Sequence, residues 1–409
     1  MGGWVGFRLS ERRRMSDRSQ KKRLSTAAVH GGEERIKPGH SLTTPIIQTS
    51  TYAFRDSAEV DDFISGRAQR IDYGRYGNPT QRAAELKLAG LEGAEDGLLF
   101  ASGMNAVTTT LLAVLSQGQH AVILDDCYRK TRQFGEKVLK RFGIEVTFVP
   151  PGDYEAIEGV IRPNTRVLVT ESPTNPHLNV LDLPRLVAIA RPRRVKVVID
   201  STFATPYNQR PLEFGVDLVL HSATKYLGGH NDIMAGAVLG PAGLISAIKD
   251  FRGIMGGTID PHCAYLLIRG LKTFPLRMAR QNGTAQRMAE FLEGHPKVRR
   301  VYYPGLRSHP HYAVAREQMA GFGGVVSFDV DGDLAQTLRF IDSLRVPYIG
   351  PSLGGVESMV SHPATISYYE LSREERLEVG IRDELVRYAV GVEDPEDLIE
   401  DLEQALGKI

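Results

Sequence analysis

Cysteine is nearly absent. Cys127 and Cys263 are the only two among 409 residues, which excludes a disulfide framework and a cysteine-built metal cluster and suits a reducing compartment, read as the cytoplasm. Excess charge of one sign is missing too. Fifty Lys plus Arg stand against 49 Asp plus Glu, a formal net charge of +1, so no global field draws nucleic acid or an anionic membrane. A small neutral or zwitterionic substrate fits better. No apolar run approaches the roughly 18 residues of a membrane span, so the chain reads as soluble. The nucleotide fingerprints are lacking as well: there is no G-x-x-x-x-G-K-[ST] loop, and no G-x-G-x-x-G opens a helix after an early strand. A nicotinamide-dependent dehydrogenase loses its main support. His221, His230 and His262 have no zinc-like spacing with acids or cysteines, so no metal is expected and they read as structural. There is no fixed-period repeat.

What is present is enough apolar sequence, 42%, for two or three domains at this length. The opening segment "MGGWVGFRLSERRRMSDRSQKKRLS" is rich in Arg and Lys but has no apolar core of a secretory signal. It reads as a disordered basic tail in preference to a transit peptide, with Met15 as a second candidate start. From Ala94 to Gly240, short apolar or β-branched runs ("GLLFAS", "HAVILDD", "EVTFVP", "RVLVTES", "KVVIDST", "DLVLHSA", "AGAVLG") alternate with helix-like stretches. Such alternation predicts parallel strands joined by crossover helices, an α/β domain over residues 71–269. Residues 1–70 precede it as a basic tail and extended arm. After Gly270 the pattern changes: "AQRMAEFLEG" is helix-like and stops at "HP", "VRRVYYPG" and "GVVSFDVDG" are strand-like, and "DLAQTLRFIDSLR" is amphipathic. A smaller α+β domain over residues 270–409 is expected.

Ligands of open parallel sheets bind beyond the carboxyl ends of the strands, so the residues just after each run carry the functional reading. "VKVVID" delivers Asp200, and "LVLHSATK" delivers Ser222, Thr224 and Lys225 one strand-helix-strand step later. Asp200 alone reads as a cap or turn residue, and Lys225 alone as a surface charge. Together they read as an ion pair or, more sharply, as an amine held in a desolvated site, where a lowered pKa makes it a nucleophile toward carbonyls. "LLFASGMNAV" places Ser102 and Gly103 at a strand-to-helix turn, where unpaired N–H groups favour a phosphate. "VILDDCYRKTR" puts Tyr128 where a ring can stack on a flat ligand. Asn175 in "VTESPTNPH" reads by default as a turn.

Taken in order, "YGRYGNPT", "ASGM", "ESPTNP", "IDSTFATP", "HSATKYLGGH" and "LVRYAVGVED" resemble the Cys/Met-metabolism family of pyridoxal-phosphate enzymes, with the aspartate-aminotransferase-like fold type I. The match runs from about Thr44 to the C-terminus. The resemblance implies pyridoxal 5'-phosphate (PLP) as cofactor, in a mostly parallel α/β large domain followed by a smaller α+β domain. It implies Lys225 as the lysine that binds the cofactor, Asp200 as the partner of its ring nitrogen, Tyr128 as the stacking and catalytic tyrosine, and Asn175 as the contact to its phenolic oxygen. Gly103 and Met104 amides with the Ser222 and Thr224 hydroxyls would hold the phosphate. Tyr73 and Arg75 match a tyrosine and an arginine that the family supplies from a neighbouring subunit, which implies dimers with shared active sites, doubled to a tetramer. Arg387 and Ser352 fall on substrate-side positions, and Arg132 near the family's active-site arginine.

Within the family the motifs are most similar to the plant-type cystathionine γ-synthase branch. That implies γ-replacement of an O-acyl- or O-phosphohomoserine by cysteine, giving cystathionine for methionine biosynthesis. Cystathionine γ-lyase, methionine γ-lyase and O-acylhomoserine sulfhydrylase are the alternatives within the family. Pro351 stands just before "SLGG", where many bacterial members carry glutamate, and "YRKTR" replaces their "YGG", so the acyl group and thiol are left open.

Overall fold

A computed structural model describes residues 23–409. The basic tail up to residue 22, Met15 included, lies outside the described residues. Each of the seven short runs forms a strand: β1 Asp96–Phe100, β2 His120–Leu124, β3 Glu145–Val149, β4 Thr165–Glu171, β5 Lys196–Asp200, β6 Leu218–Ser222 and β7 Gly236–Gly240. They make one sheet in the order β1-β7-β6-β5-β4-β2-β3. β2 and β7 are buried along their whole length, as expected of strands covered on both faces. Alternate residues separate two apolar layers. Val167, Val169, Val198 and Leu220 pack with residues of the helix Gly103–Val114, whereas Leu168, Val197, Ile199 and Val219 pack with the helix Leu183–Ala190.

The sheet is mostly parallel, as expected, with one strand reversed. β7 runs antiparallel to both β1 and β6. Residues 223–235 contain no crossover helix, so the chain turns back on itself instead of passing over the sheet. Thr224 fastens this return: its N–H donates to the Ala235 carbonyl at 3.2 Å, and its hydroxyl accepts the Ala235 N–H at 2.9 Å.

The C-terminal part holds a second sheet of β8 Val298–Tyr302, β9 Val325–Val330, β10 Tyr348–Ile349, β11 Met359–Ser361 and β12 Leu385–Ala389, ordered β10-β11-β12-β9-β8. After β7 and the helix Ala242–Met255 comes one unbroken helix, Pro261–Glu293. The sequence shows only its second half, because Gly270 and Pro275 read as breakers. Asp260 caps its start by accepting the His262 N–H at 2.7 Å, and Pro261 takes the first turn, where no N–H is needed. Gly270 is a packing requirement, since a Cβ there would meet the Gly228 carbonyl oxygen at 2.3 Å. Residue 270 therefore sits inside a continuous helix that touches the loop after Lys225. The N-terminal arm is pinned to the body by Lys87. This lysine is fully buried, donates to the Ala28 and Val29 carbonyls at 2.9 and 3.1 Å, and pairs with Glu33 at 3.0 Å. Within the arm, Leu24–His30 and Ser57–Ile64 are helical instead of extended. Among the described residues, no helix is long and apolar enough to cross a membrane.

Gly270→Ala should destabilise the protein by about 1–3 kcal/mol through overpacking against backbone. Gly283→Ala, in the same helix with open space around it, should be neutral or stabilising by up to about 1 kcal/mol. Thermal melts of the two variants check this, and equal melting points would refute the contact at Gly228.

Candidate functional site

The carboxyl ends of β4, β5 and β6 bring the site together. Val198 faces the layer under the Gly103–Val114 helix, and strand alternation puts Asp200, two residues on, on that same face. Asp200 is held by its own turn: its Oδ1 accepts the Thr202 N–H at 3.0 Å and the Thr202 hydroxyl at 2.5 Å. That hydroxyl also accepts the Ser222 N–H at 2.8 Å, so one threonine fixes the ends of two strands. Burial raises the Asp200 pKa, and the Thr202 donors oppose the shift. Asp200 keeps part of its surface exposed.

Lys225 stands just beyond β6. Its Nζ donates to Ser352 Oγ at 2.9 Å, and among the described residues no carboxylate pairs with it. Burial, helped by the Arg387 charge, lowers its pKa to about 8. An ion pair with Asp200, the milder reading of the sequence, does not form. The amine is thus largely desolvated, unpaired and poised to lose its proton near neutral pH, which is the condition for attack on a carbonyl.

Arg387, on β12, crosses from the second sheet. It is 4% exposed, and it donates to Asn175 Oδ1 at 3.1 Å and to the Pro351 and Ser352 carbonyls at 3.0 and 3.2 Å. Its Nε is buried without a partner. Burial pulls its pKa down, so an incoming carboxylate would meet a weakly solvated guanidinium. Asn175 lies between two cis X-Pro bonds, Ser172-Pro173 and Asn175-Pro176. Tyr128 opens the short helix Arg129–Gln133, keeps 46% of its surface exposed, and donates its N–H to Glu171 Oε2 at 2.7 Å.

At the start of the Gly103–Val114 helix, Ser102 caps by accepting the Asn105 N–H at 3.1 Å. The Gly103 and Met104 N–H groups belong to the first turn, which has no intrahelical acceptor. A Cβ on Gly103 would lie 2.9 Å from Ser222 Cβ, so the helix start and Ser222 form a close cradle with hydroxyl and N–H donors. Thr224 sits beside it, although its hydroxyl already donates to the Ala235 carbonyl at 3.2 Å. These residues suit a phosphorylated aromatic aldehyde. The donors match a phosphate, the unpaired amine matches an aldehyde, and Asp200, which pairs with no cation among the described residues, matches a protonated ring nitrogen that would offset its burial. A cavity of about 980 Å³ borders the site at Thr224 and Ser352.

Three residues singled out in the sequence are not in this cluster. Tyr73 and Arg75 are exposed. Arg75 stacks on the Tyr73 and Tyr76 rings at 5.3 and 5.2 Å, with no contact to Lys225 or the cradle. Arg132 pairs with Glu136 at 2.8 Å and lies 4.8 Å from the centre of the Phe148 ring. Its neighbour Arg129 reaches the second half instead, bonding the Ser367 carbonyl and Glu370. The sequence reading passed over Glu171 and Thr202. Both carry a signal: Glu171 is the last residue of "RVLVTE", and a threonine two residues after a strand-end aspartate is placed for a local side-chain turn.

Over residues 25–407 the chain matches the family described as "Cys/Met metabolism PLP-dependent enzyme". It is 51% identical over 388 residues to cystathionine gamma-synthase 1, chloroplastic, of Nicotiana tabacum, covering 94% of this chain and 72% of that protein. It is 43% identical over 395 residues to L-methionine gamma-lyase of Fusobacterium nucleatum, covering 95% and 99%. The crystal structure of metB from Corynebacterium glutamicum superposes with a TM-score of 0.89 at 37% identity, covering 95% of this chain and 98% of that one.

In ligand-free protein the Lys225 amine should titrate near pH 8. At that pH about half of it is neutral, against about one part in 250 for an ordinary lysine of pKa near 10.4. Competitive labelling read by mass spectrometry from pH 6 to 11 should show Lys225 reacting first and levelling off above pH 9. A labelling curve that follows the surface lysines would contradict the desolvated site.

Proposed function

The chain belongs to the Cys/Met-metabolism family of PLP-dependent enzymes, with the α/β architecture of fold type I and pyridoxal 5'-phosphate as its cofactor, and we propose that it catalyses cystathionine synthesis by γ-replacement. An O-activated homoserine loses its γ-oxygen substituent, and the cysteine sulfur takes its place on that carbon. The observation that supports this direction is the higher identity to a protein named cystathionine gamma-synthase, 51%, than to one named methionine gamma-lyase, 43%. Pro351 beside Ser352, in place of the glutamate common in other branches, agrees with it.

When bound, PLP supplies an electron-poor ring that stores the charge released at the substrate's carbon atoms. The chain's own residues do the rest. Asp200 is placed to hold the proton of the ring nitrogen. Lys225 would bind the cofactor and would also carry protons at the substrate's α-, β- and γ-carbons, a task suited to an amine that burial holds below the ordinary lysine range. Its tether to Ser352 Oγ keeps the amine on the substrate side. Tyr128 would cover the ring, and Asn175, whose amide oxygen accepts from Arg387, would meet the phenolic oxygen. Arg387 itself takes the substrate α-carboxylate through its planar fork. Gly103, Met104, Ser222 and Thr224 hold the phosphate. Arg132, paired with Glu136, is assigned to the substrate side on family resemblance alone.

Tyr73 and Arg75 complete the phosphate site of a second copy in this reading. They are exposed on their own chain, where Arg75 gives one bond to the Tyr76 hydroxyl at 3.2 Å and has further N–H groups for a partner, so in this reading the enzyme is a homo-oligomer, a tetramer built from such dimers. The division at residues 70 and 270 into arm, cofactor-binding domain and C-terminal domain belongs to the same proposal, with the Pro261–Glu293 helix as the shared element. The two free thiols suit a reducing compartment, and we assign the cytoplasm, while the tobacco relative's name places that protein in the chloroplast.

Purified protein given cysteine with O-succinyl-, O-acetyl- or O-phosphohomoserine should form cystathionine with at least one donor. Release of 2-oxobutyrate from cystathionine without synthesis would instead establish the lyase. Lys225→Ala should lower turnover by about 10³-fold or more with an unchanged circular dichroism spectrum, because nucleophile and proton carrier go together. Arg75→Ala should weaken PLP retention about tenfold, the scale of one lost charge-assisted hydrogen bond; normal retention would count against a site shared between copies.

A further inference from the structure

β4 and β5 are adjacent parallel strands, and their register sets Glu171 directly opposite Asp200. Both side chains follow valines of the same apolar layer, Val169 and Val198, so both carboxyl groups emerge on one face, across a strand spacing of about 4.8 Å. Glu171 is 5% exposed. Among the described residues, neither carboxyl group forms an ion pair. The groups facing Glu171 are Asp126, Cys127 and Tyr128 from the segment after β2, Asp200 from β5, and Arg387 and Tyr368 from the C-terminal part. His221 acts on Asp200 from β6, but its ring is bonded to Glu92 at 2.9 Å. Arg387 is the cation in reach of Glu171, and its bonds go to Asn175 and two carbonyls.

Two carboxylates this close in a shielded site do not both ionise. The hydrogen bonds decide which one keeps the charge. Asp200 accepts two donors from Thr202, an N–H and a hydroxyl, whereas Glu171 accepts one, the Tyr128 N–H. Donors stabilise the charged form, so the anion belongs on Asp200 and the proton on Glu171. Burial and the Asp200 charge push the Glu171 pKa in the same direction, well above the usual carboxyl range.

We propose that Glu171 is a positioning residue of the cofactor site: a neutral carboxylic acid that leaves the single negative charge on Asp200 and fixes the main chain of Tyr128, and through it the ring that covers the cofactor. This assignment rests on the proposed roles of Asp200 and Tyr128. It gives the ring-nitrogen partner an undivided charge, and it gives an exposed tyrosine an acceptor for its N–H, while its own short helix holds only the carbonyl, through the Thr131 and Arg132 N–H groups.

The test compares Glu171→Gln and Glu171→Ala in the full-length holoenzyme, read by the PLP dissociation constant and by the pH titration of the bound cofactor's visible band between pH 6 and 9.5. A glutamine mimics the protonated acid and still accepts the Tyr128 N–H. It should keep PLP affinity within about threefold and leave the titration of the band in place. The alanine variant, which frees that N–H, should weaken PLP binding by about tenfold or more. Loss of affinity or a shifted titration in Glu171→Gln would show that the ionised form is needed and overturn the proposal, as would wild-type retention in Glu171→Ala. If the alanine variant does not fold, the glutamine variant alone decides, because replacing an ionised glutamate would change the site charge and move the band. A visible band that survives Lys225→Ala in an otherwise wild-type protein would point instead to a failed cofactor-site reading, which keeps the two failures distinct.

Discussion

A lysine and an aspartate are carried to neighbouring ends of one sheet and are not allowed to neutralise each other. Lys225 is held by the Ser352 hydroxyl and Asp200 by Thr202, so each remains available to something that is neither of them. In a solvated site the two charges would find each other or water at little cost. Here burial removes the water, and short-range hydroxyl bonds fix the separation. The reactivity of the amine and the buried carboxylate both depend on it.

That separation needs both halves of the chain. Asp200 and Lys225 come from the seven-stranded sheet, but Ser352 and Arg387 come from the C-terminal part, and Arg387 ties Asn175 to the Pro351 and Ser352 carbonyls. Arg129 makes a second crossing to Ser367 and Glu370. The Pro261–Glu293 helix underlies the junction and presses Gly270 against Gly228, three residues past the lysine. Lys225 is therefore positioned by a helix on one side and by a loop of the second sheet on the other.

Much of this arrangement is legible in the sequence. Seven short apolar runs gave seven strands, and the rule that ligands sit beyond carboxyl ends singled out Asp200, Ser222 and Lys225 before any contact was visible. The long helix was only half legible, because Gly270 and Pro275 carry the local signature of a break while tertiary packing overrides it. The direction of β7 was hidden for a different reason: a return without a helix is a fact about the path of residues 223–235, not about the apolar content of "AGAVLG". Tyr73 and Arg75 are visible through family resemblance alone, since their own surroundings are open surface. Glu171 has no mark of its own within "ESPTNP", whose turn residues point to Asn175. A buried acid at a strand end looks like any other last residue until the register places it beside Asp200.

The β6–β7 return sets a limit on what this chain can tolerate. Ordinary surface loops absorb extra residues at small entropic cost. This one is closed at Thr224 by bonds to Ala235 and backed at Gly228 by the long helix. One residue added between Lys225 and Ala235 would have to break that closure, slip β7 by one position against β1 and β6 so that its two faces exchange, or lift the loop from the helix. Each outcome moves the amine. The segment that bears the lysine lies in a loop, yet in its tolerance of length change it behaves like the core of the sheet.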